Sequence, residues 1–250
     1  MLVMALLWSL LLLLELEEWA WWILIPLTFC MLLSLLMGSA CTMRLMNPTV
    51  KMMQEQCDPF PLLEETSYQL GYVKNRSDRT LLTINKASGL MAAGYHHQAL
   101  EELEALDIHD PAVPTGWRYT YYHNLTAAAI RCGYMEKAQT YYQTAIQQFS
   151  ALKGKPQEDL QSNRVHLSAE LCMMQGAYAQ AYDLLSKVAS KNLYEQVVRA
   201  YDLAEIAVAQ GQPQTARIHL DFVFRYGNRL YTVAKAQKLV EELNKEPLSE

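Results

Sequence analysis

The sequence predicts an all-α protein, a solenoid of antiparallel helix pairs behind an amino-terminal membrane segment. Three observations predict it. A glycine followed five residues later by an alanine recurs as Gly94/Ala99, Gly133/Ala138, Gly176/Ala181 and Gly211/Ala216. Apolar residues recur at three- and four-residue spacing on both sides of each copy, which is the period of a helix with one buried face. Residues 19–37, WAWWILIPLTFCMLLSLLM, carry no charge.

The membrane segment comes first. A helix rises about 1.5 Å per residue, so roughly 20 apolar residues cross a hydrocarbon layer about 30 Å thick. Residues 19–37 meet that length, and Trp19, Trp21 and Trp22 gather at one end, where indole rings favour the headgroup region. Residues 1–14 form a shorter apolar run, separated from the first by Glu15, Glu17 and Glu18. A helical hairpin is the expected arrangement, and residues 1–41 read as the anchor. Only acids precede the span, whereas Arg44, Lys51, Lys74, Arg76 and Arg79 follow it. The positive-inside rule therefore places the rest of the chain in the cytoplasm.

Residues 42–61 read as a polar linker, broken at Asn47-Pro48 and again at Cys57-Asp58-Pro59-Phe60-Pro61. The CDPFP stretch is expected to be exposed. A helix is expected from about Leu62 to Lys74 with Asp58 as its cap, and Asn75-Arg76-Ser77-Asp78 reads as a turn.

The helical domain then covers residues 62–250. Its marker glycines lie 39, 43 and 35 residues apart, a period that signals stacked helix pairs with extra residues in loops. One such loop is His109 to Pro114, and another is Lys153 to Pro156. Before each glycine the buried stripe reads Ala87, Leu90, Met91; Leu125, Ala129, Ile130; Ala169, Cys172, Met173; and Leu203, Ala207, Val208. Each glycine suits a left-handed residue just past a helix end, and each alanine suits a close helix crossing. The last amphipathic run, 231–244, is expected to cover the open end of the core.

These repeated positions resemble the tetratricopeptide repeat family. The match rests on the four glycine–alanine pairs and on the large residues Leu103, Tyr142, Leu185 and Leu220, four positions after each alanine. Asn85, Asn124 and Pro111 add to it, while the spacing departs from the family's period of about 34. The resemblance implies a right-handed α-solenoid whose first helices line a concave face that binds a partner protein or peptide. Ile84, His123, His166 and Tyr201 stand ten residues before each glycine, with Asn85, Asn124, Asn163, Glu170 and Glu205 nearby. These nine are the candidate partner-binding residues. The family's paired-lysine clamp for carboxy-terminal carboxylates is not expected, because Ile84 occupies the place of its first lysine.

Composition narrows the function classes. A net charge of −5 and a pI near 5.7 argue against a nucleic-acid surface. The five cysteines are odd in number and lack close pairs, so neither a disulfide framework nor a zinc site is expected. No metal, cofactor or small-molecule substrate is expected, since His123 and His166 have no acidic cluster near them in sequence to complete a ligand set. No nucleophile–base pair or phosphate loop is evident, so an enzyme is not expected. The expected function is that of a membrane-anchored scaffold recruiting a cytoplasmic protein partner. The alternative is the same module facing outward and acting in envelope or secretory assembly.

Overall fold

The computed structural model describes residues 25–31, 48–111, 113–152 and 158–245. Every regular element among the described residues is a helix. The chain divides into two units at Asn47/Pro48. In the first unit, residues 25–31 are helical. The rest of the expected span 19–37, and all of the apolar run 1–14, lie outside the described residues. No helix among the described residues is long and apolar enough to cross a membrane.

The second unit begins with a helix where the sequence suggested only a linker: α1 spans residues 48–56. Cys57, with φ of 55°, turns the chain into α2, Phe60–Leu70. Pro59, not the expected Asp58, stands at the helix cap and makes no side-chain cap bond, while Asp58 one residue earlier accepts from the Phe60 backbone N–H at 3.2 Å. The helix stops at Leu70, four residues short of the expected Lys74, and Gly71 follows it. The Asn75 to Asp78 stretch is the start of α3, Arg76–Ala93, rather than a free turn. The Asn75 side chain caps that helix by accepting from Ser77 N–H.

Four helix pairs follow. They are α3 with α4 (His96–Glu104), α5 (Trp117–Arg131) with α6 (Met135–Ser150), α7 (Glu158–Met174) with α8 (Tyr178–Ser186), and α9 (Leu193–Ala209) with α10 (Pro213–Tyr226). Partners within each pair pack together, and each second helix packs on the next first helix.

The joint inside every pair is built the same way. Gly94, Gly133, Gly176 and Gly211 have φ of 93°, 78°, 77° and 71°, a region open to glycine at little steric cost. The residue after each glycine donates its backbone N–H to a carbonyl five positions back, at 2.8–2.9 Å, as Tyr95 to Leu90, Tyr134 to Ala129, Ala177 to Cys172 and Gln212 to Ala207. This is the Schellman closure of a helix end. Ala99, Ala138, Ala181 and Ala216 are fully buried.

The last helix, α11 (Tyr231–Lys245), packs on α9 and α10 and also reaches α3. It does more than cover an open end, because the turn before it clasps the start of the unit. Arg229 N–H donates to the Cys57 carbonyl at 3.2 Å, Asn228 Nδ2 to the Gln56 carbonyl at 2.8 Å, and the Arg229 guanidinium meets Asp58 at 3.1 Å. The same guanidinium lies 4.0 Å from the Phe60 ring centre. Cys57 is consequently fully buried, against the expectation that CDPFP is exposed. Burial also pushes its thiol up to about 11.

Candidate functional site

First helices of successive pairs place their polar residues around two cavities of about 350 and 310 Å³. The larger is bounded by α3, α5, α7, α9 and α11, with His96 and Tyr178 at its edge. The smaller lies among α1, α3, α5, α7 and α9. Met91, Arg131, Glu170, Tyr194 and Val198 line both, so a wall of mixed polar and apolar side chains stands between them.

The polar part of that wall is a ladder of charges supplied by different pairs. Arg131 ends α5, and its Nη2 donates to Glu170 Oε1 on α7 at 2.7 Å. His166, one turn before Glu170, has Nε2 at 3.9 Å from the same oxygen and 3.1 Å from Asp202 Oδ2 on α9. The Asp202 contact is at ion-pair distance but off the direction a hydrogen bond requires. Further along, Glu205 accepts from the Tyr201 hydroxyl at 2.7 Å and faces Lys235 of α11 at 3.5 Å. The Lys235 ammonium also sits over the Tyr201 ring, 4.3 Å from its centre.

Burial and these charges set the protonation of the wall. Burial pulls His166 down, but the carboxylates of Asp202 and Glu170 outweigh it, and its pKa is raised. Burial depresses His123 to about 4, with His166 and Arg131 adding to the effect. His96 is likewise lowered to about 4 by burial and by Arg131 and Lys235. Burial raises Glu205, partly opposed by Lys235 and the Tyr201 hydroxyl.

Of the nine residues expected on a binding face, eight line a cavity. Asn85, His123, Asn124, Asn163 and His166 border the smaller one, Tyr201 and Glu205 the larger, and Glu170 both. Ile84 lines neither: it is fully buried in the core. Its carbonyl accepts from Asn124 Nδ2 at 3.3 Å, and Asn124 also donates to Ser88 Oγ at 2.9 Å. Asn124 is 6% exposed and ties α3 to α5.

Arg131, Asp202 and Tyr194 escaped the sequence reading. His96, which reads from sequence as solvent-exposed in a turn, is half-buried at the start of α4. Lys235, which reads as part of the charged face of the last helix, borders the larger cavity. Asp202 stands nine residues before Gly211, the step at which Asn85 and Asn124 precede their glycines, and Arg131 is the one charge in the run AAAIRCG. Lys235 had no such signal, since only the return of α11 to the inner wall brings it there. The acidic cluster judged missing beside His166 does exist. Glu170 comes from its own helix and Asp202 from the next pair, and the three ligand atoms lie within 4.8 Å of one another. His123 is outside that group.

No family model, curated protein or solved structure matches this chain.

Proposed function

We propose that the second unit is a tetratricopeptide-like right-handed solenoid, anchored to a membrane by the amino-terminal segment, that binds a partner protein on its inner wall. One observation carries the reading. Polar residues from all four first helices line two adjoining cavities, although Ile84 at the first step lies in the core. Convergent polar groups in an apolar frame are the usual form of a recognition site.

The volumes limit what enters. Pockets of roughly 300 Å³ stand at the small end of ligand sites, so each cavity takes one or two side chains of the partner and not a long segment. Methionines at positions 91, 173 and 174 give the larger cavity an adaptable apolar lining. The ladder behind them supplies fixed donors and acceptors. Positive residues after the span favour a cytoplasmic partner.

Filling the cavities tests this reading. Asn163→Trp intrudes on the smaller cavity and Thr232→Trp on the larger, while Gln139→Trp lies on an exposed position of α6 that lines neither. A protein recovered with the parent and with Gln139→Trp, but lost with both cavity variants, supports binding at the inner wall. Recovery of the same protein by all four chains contradicts it.

A further inference from the structure

His166 Nε2 and Asp202 Oδ2 are both buried and face each other at 3.1 Å as an ion pair, and neither atom has a well-aligned hydrogen bond among the described residues. The Asp202 side chain is only 9% exposed. An imidazole nitrogen and a carboxylate oxygen paired off-axis in this way, deep in a protein, can both turn to a third group beside them. Glu170 completes the set, one helical turn from His166 on the same face of α7.

We propose that His166, Glu170 and Asp202 bind a divalent transition-metal ion, Zn²⁺ or Mn²⁺, in the wall between the two cavities. Donor atoms held about 2.0–2.2 Å from one ion stand roughly 3–4 Å from each other. The separations of 3.1 and 3.9 Å from His166 Nε2 already meet that condition, and all three donors fall within 4.8 Å. One imidazole and two carboxylates are a ligand set for Zn²⁺ or Mn²⁺. Ca²⁺ asks for six to eight oxygens and Mg²⁺ for a near-ideal octahedron, so neither suits a site with an imidazole and three protein donors.

Arg131 fits this arrangement as an outer partner. Each carboxylate oxygen has two lone pairs, so Glu170 Oε1 keeps the guanidinium on one and offers the ion the other. Such outer contacts orient ligands in metal sites. His166 opens on the smaller cavity, Asp202 on the larger, and Glu170 on both, so either cavity gives the ion room for water or an added donor. The inference does not depend on the partner-binding reading, because the ligands all belong to this chain.

The test uses the full chain, untagged and purified in detergent, stripped with a chelator and titrated with ZnCl₂ and with MnCl₂. One ion per chain is expected for at least one of the two metals, together with a rise in melting temperature. Loss of an outer partner alone weakens metal sites about 10–100-fold, so His166→Gln and Asp202→Asn are expected to weaken this one by about 100-fold or more. A chain with Cys30, Cys41, Cys132 and Cys172 all replaced by serine, which keeps only the fully buried Cys57, is expected to bind as the parent does, which excludes accessible thiols as the source. Where Asp202→Asn does not fold, the near-isosteric His166→Gln decides. No stoichiometric binding of either ion to the parent, or undiminished binding to folded His166→Gln, overturns the proposal and leaves a buried imidazolium–carboxylate pair.

Discussion

Gly94 and Tyr231 are 137 residues apart in the chain and in direct contact across the helical unit. A Cβ placed on Gly94 would stand 2.5 Å from Tyr231 Cδ2 and 2.6 Å from Cγ. The first pair joint and the first residue of the last helix therefore share one space, and the row of pairs returns to its start. Gly133 has the same left-handed backbone but open space around it.

The contrast gives the first prediction. Gly133→Ala bears only the cost of a left-handed alanine, about 1–2 kcal/mol. Gly94→Ala bears that cost and the collision with Tyr231, so its urea midpoint is expected to fall further. Combining Gly94→Ala with Tyr231→Ala should cost less than the sum of the two single changes, as coupled neighbours do. Strict additivity would show that the two sites are not in contact.

Ala138 tests the repeated crossing. It is fully buried at the start of α6, so Ala138→Leu overpacks the joint at a typical cost of about 1–3 kcal/mol. Glu136→Gln, on an exposed position two residues earlier, is expected to leave the midpoint within about 0.5 kcal/mol of the parent. Equal midpoints for the two variants would remove Ala138 from the crossing.

Asn124→Ala removes the donor shared by the Ile84 carbonyl and Ser88 Oγ. Leaving buried polar groups unsatisfied costs about 1–3 kcal/mol, so a loss of that size is expected in urea unfolding. A change of a few tenths would mean that water takes the place of the amide. The same residue shows where sequence reading reaches its limit. It borders the smaller cavity, yet its side chain is spent holding two helices together. Ile84, at the step that His123 takes in the second pair, is packed into the apolar core. Helical period indicates which residues share a stripe, and the next helix decides whether that stripe is wall or core.

The joints were legible because they are local. A glycine in the left-handed region and an alanine five residues on are set within one turn of chain, and all four recur with the same hydrogen bonds. The ladder was not legible, because Arg131, Glu170, Asp202 and Lys235 come from four different helices and meet only through their packing. The clasp of Arg229 on Asp58 was invisible for the same reason: 171 residues separate the partners.

Acid should weaken the fold through His96 and His123. Both have pKa values lowered from 6.5 to about 4, so the unfolded chain takes up protons first as pH falls. Stability is therefore complete above about pH 6.5 from these two groups and declines as pH drops toward 4. His166 has the opposite sign: its raised pKa gives stability that is full below 6.5 and lost as pH rises through its folded value. Raised Glu205 also opposes the decline, so the diagnostic is a difference between chains. His96→Gln and His123→Gln should each flatten the fall in urea midpoint between pH 6.5 and 4. An unchanged slope in both would show that these rings do not stay neutral in the fold.

Sidedness needs an exposed reporter, because Cys57 is buried and its thiol is held above the range where thiolate forms at neutral pH. Ala189→Cys, in the exposed loop between α8 and α9, serves this purpose. A membrane-impermeant maleimide should label it only after cells are permeabilised, if the helical unit faces the cytoplasm. Labelling in intact cells would place the unit outside and support action in envelope or secretory assembly.

The binding of a partner at the inner wall is tested most directly by site-specific photo-crosslinking in living cells. A photoreactive phenylalanine analogue is placed in turn at Asn163, at Thr232 and at the exposed Gln139. The account predicts that Asn163 and Thr232 join to the same protein, that Gln139 does not, and that filling the cavity beside each probe abolishes its product. No product from either inner position, or equal products from all three, would contradict it.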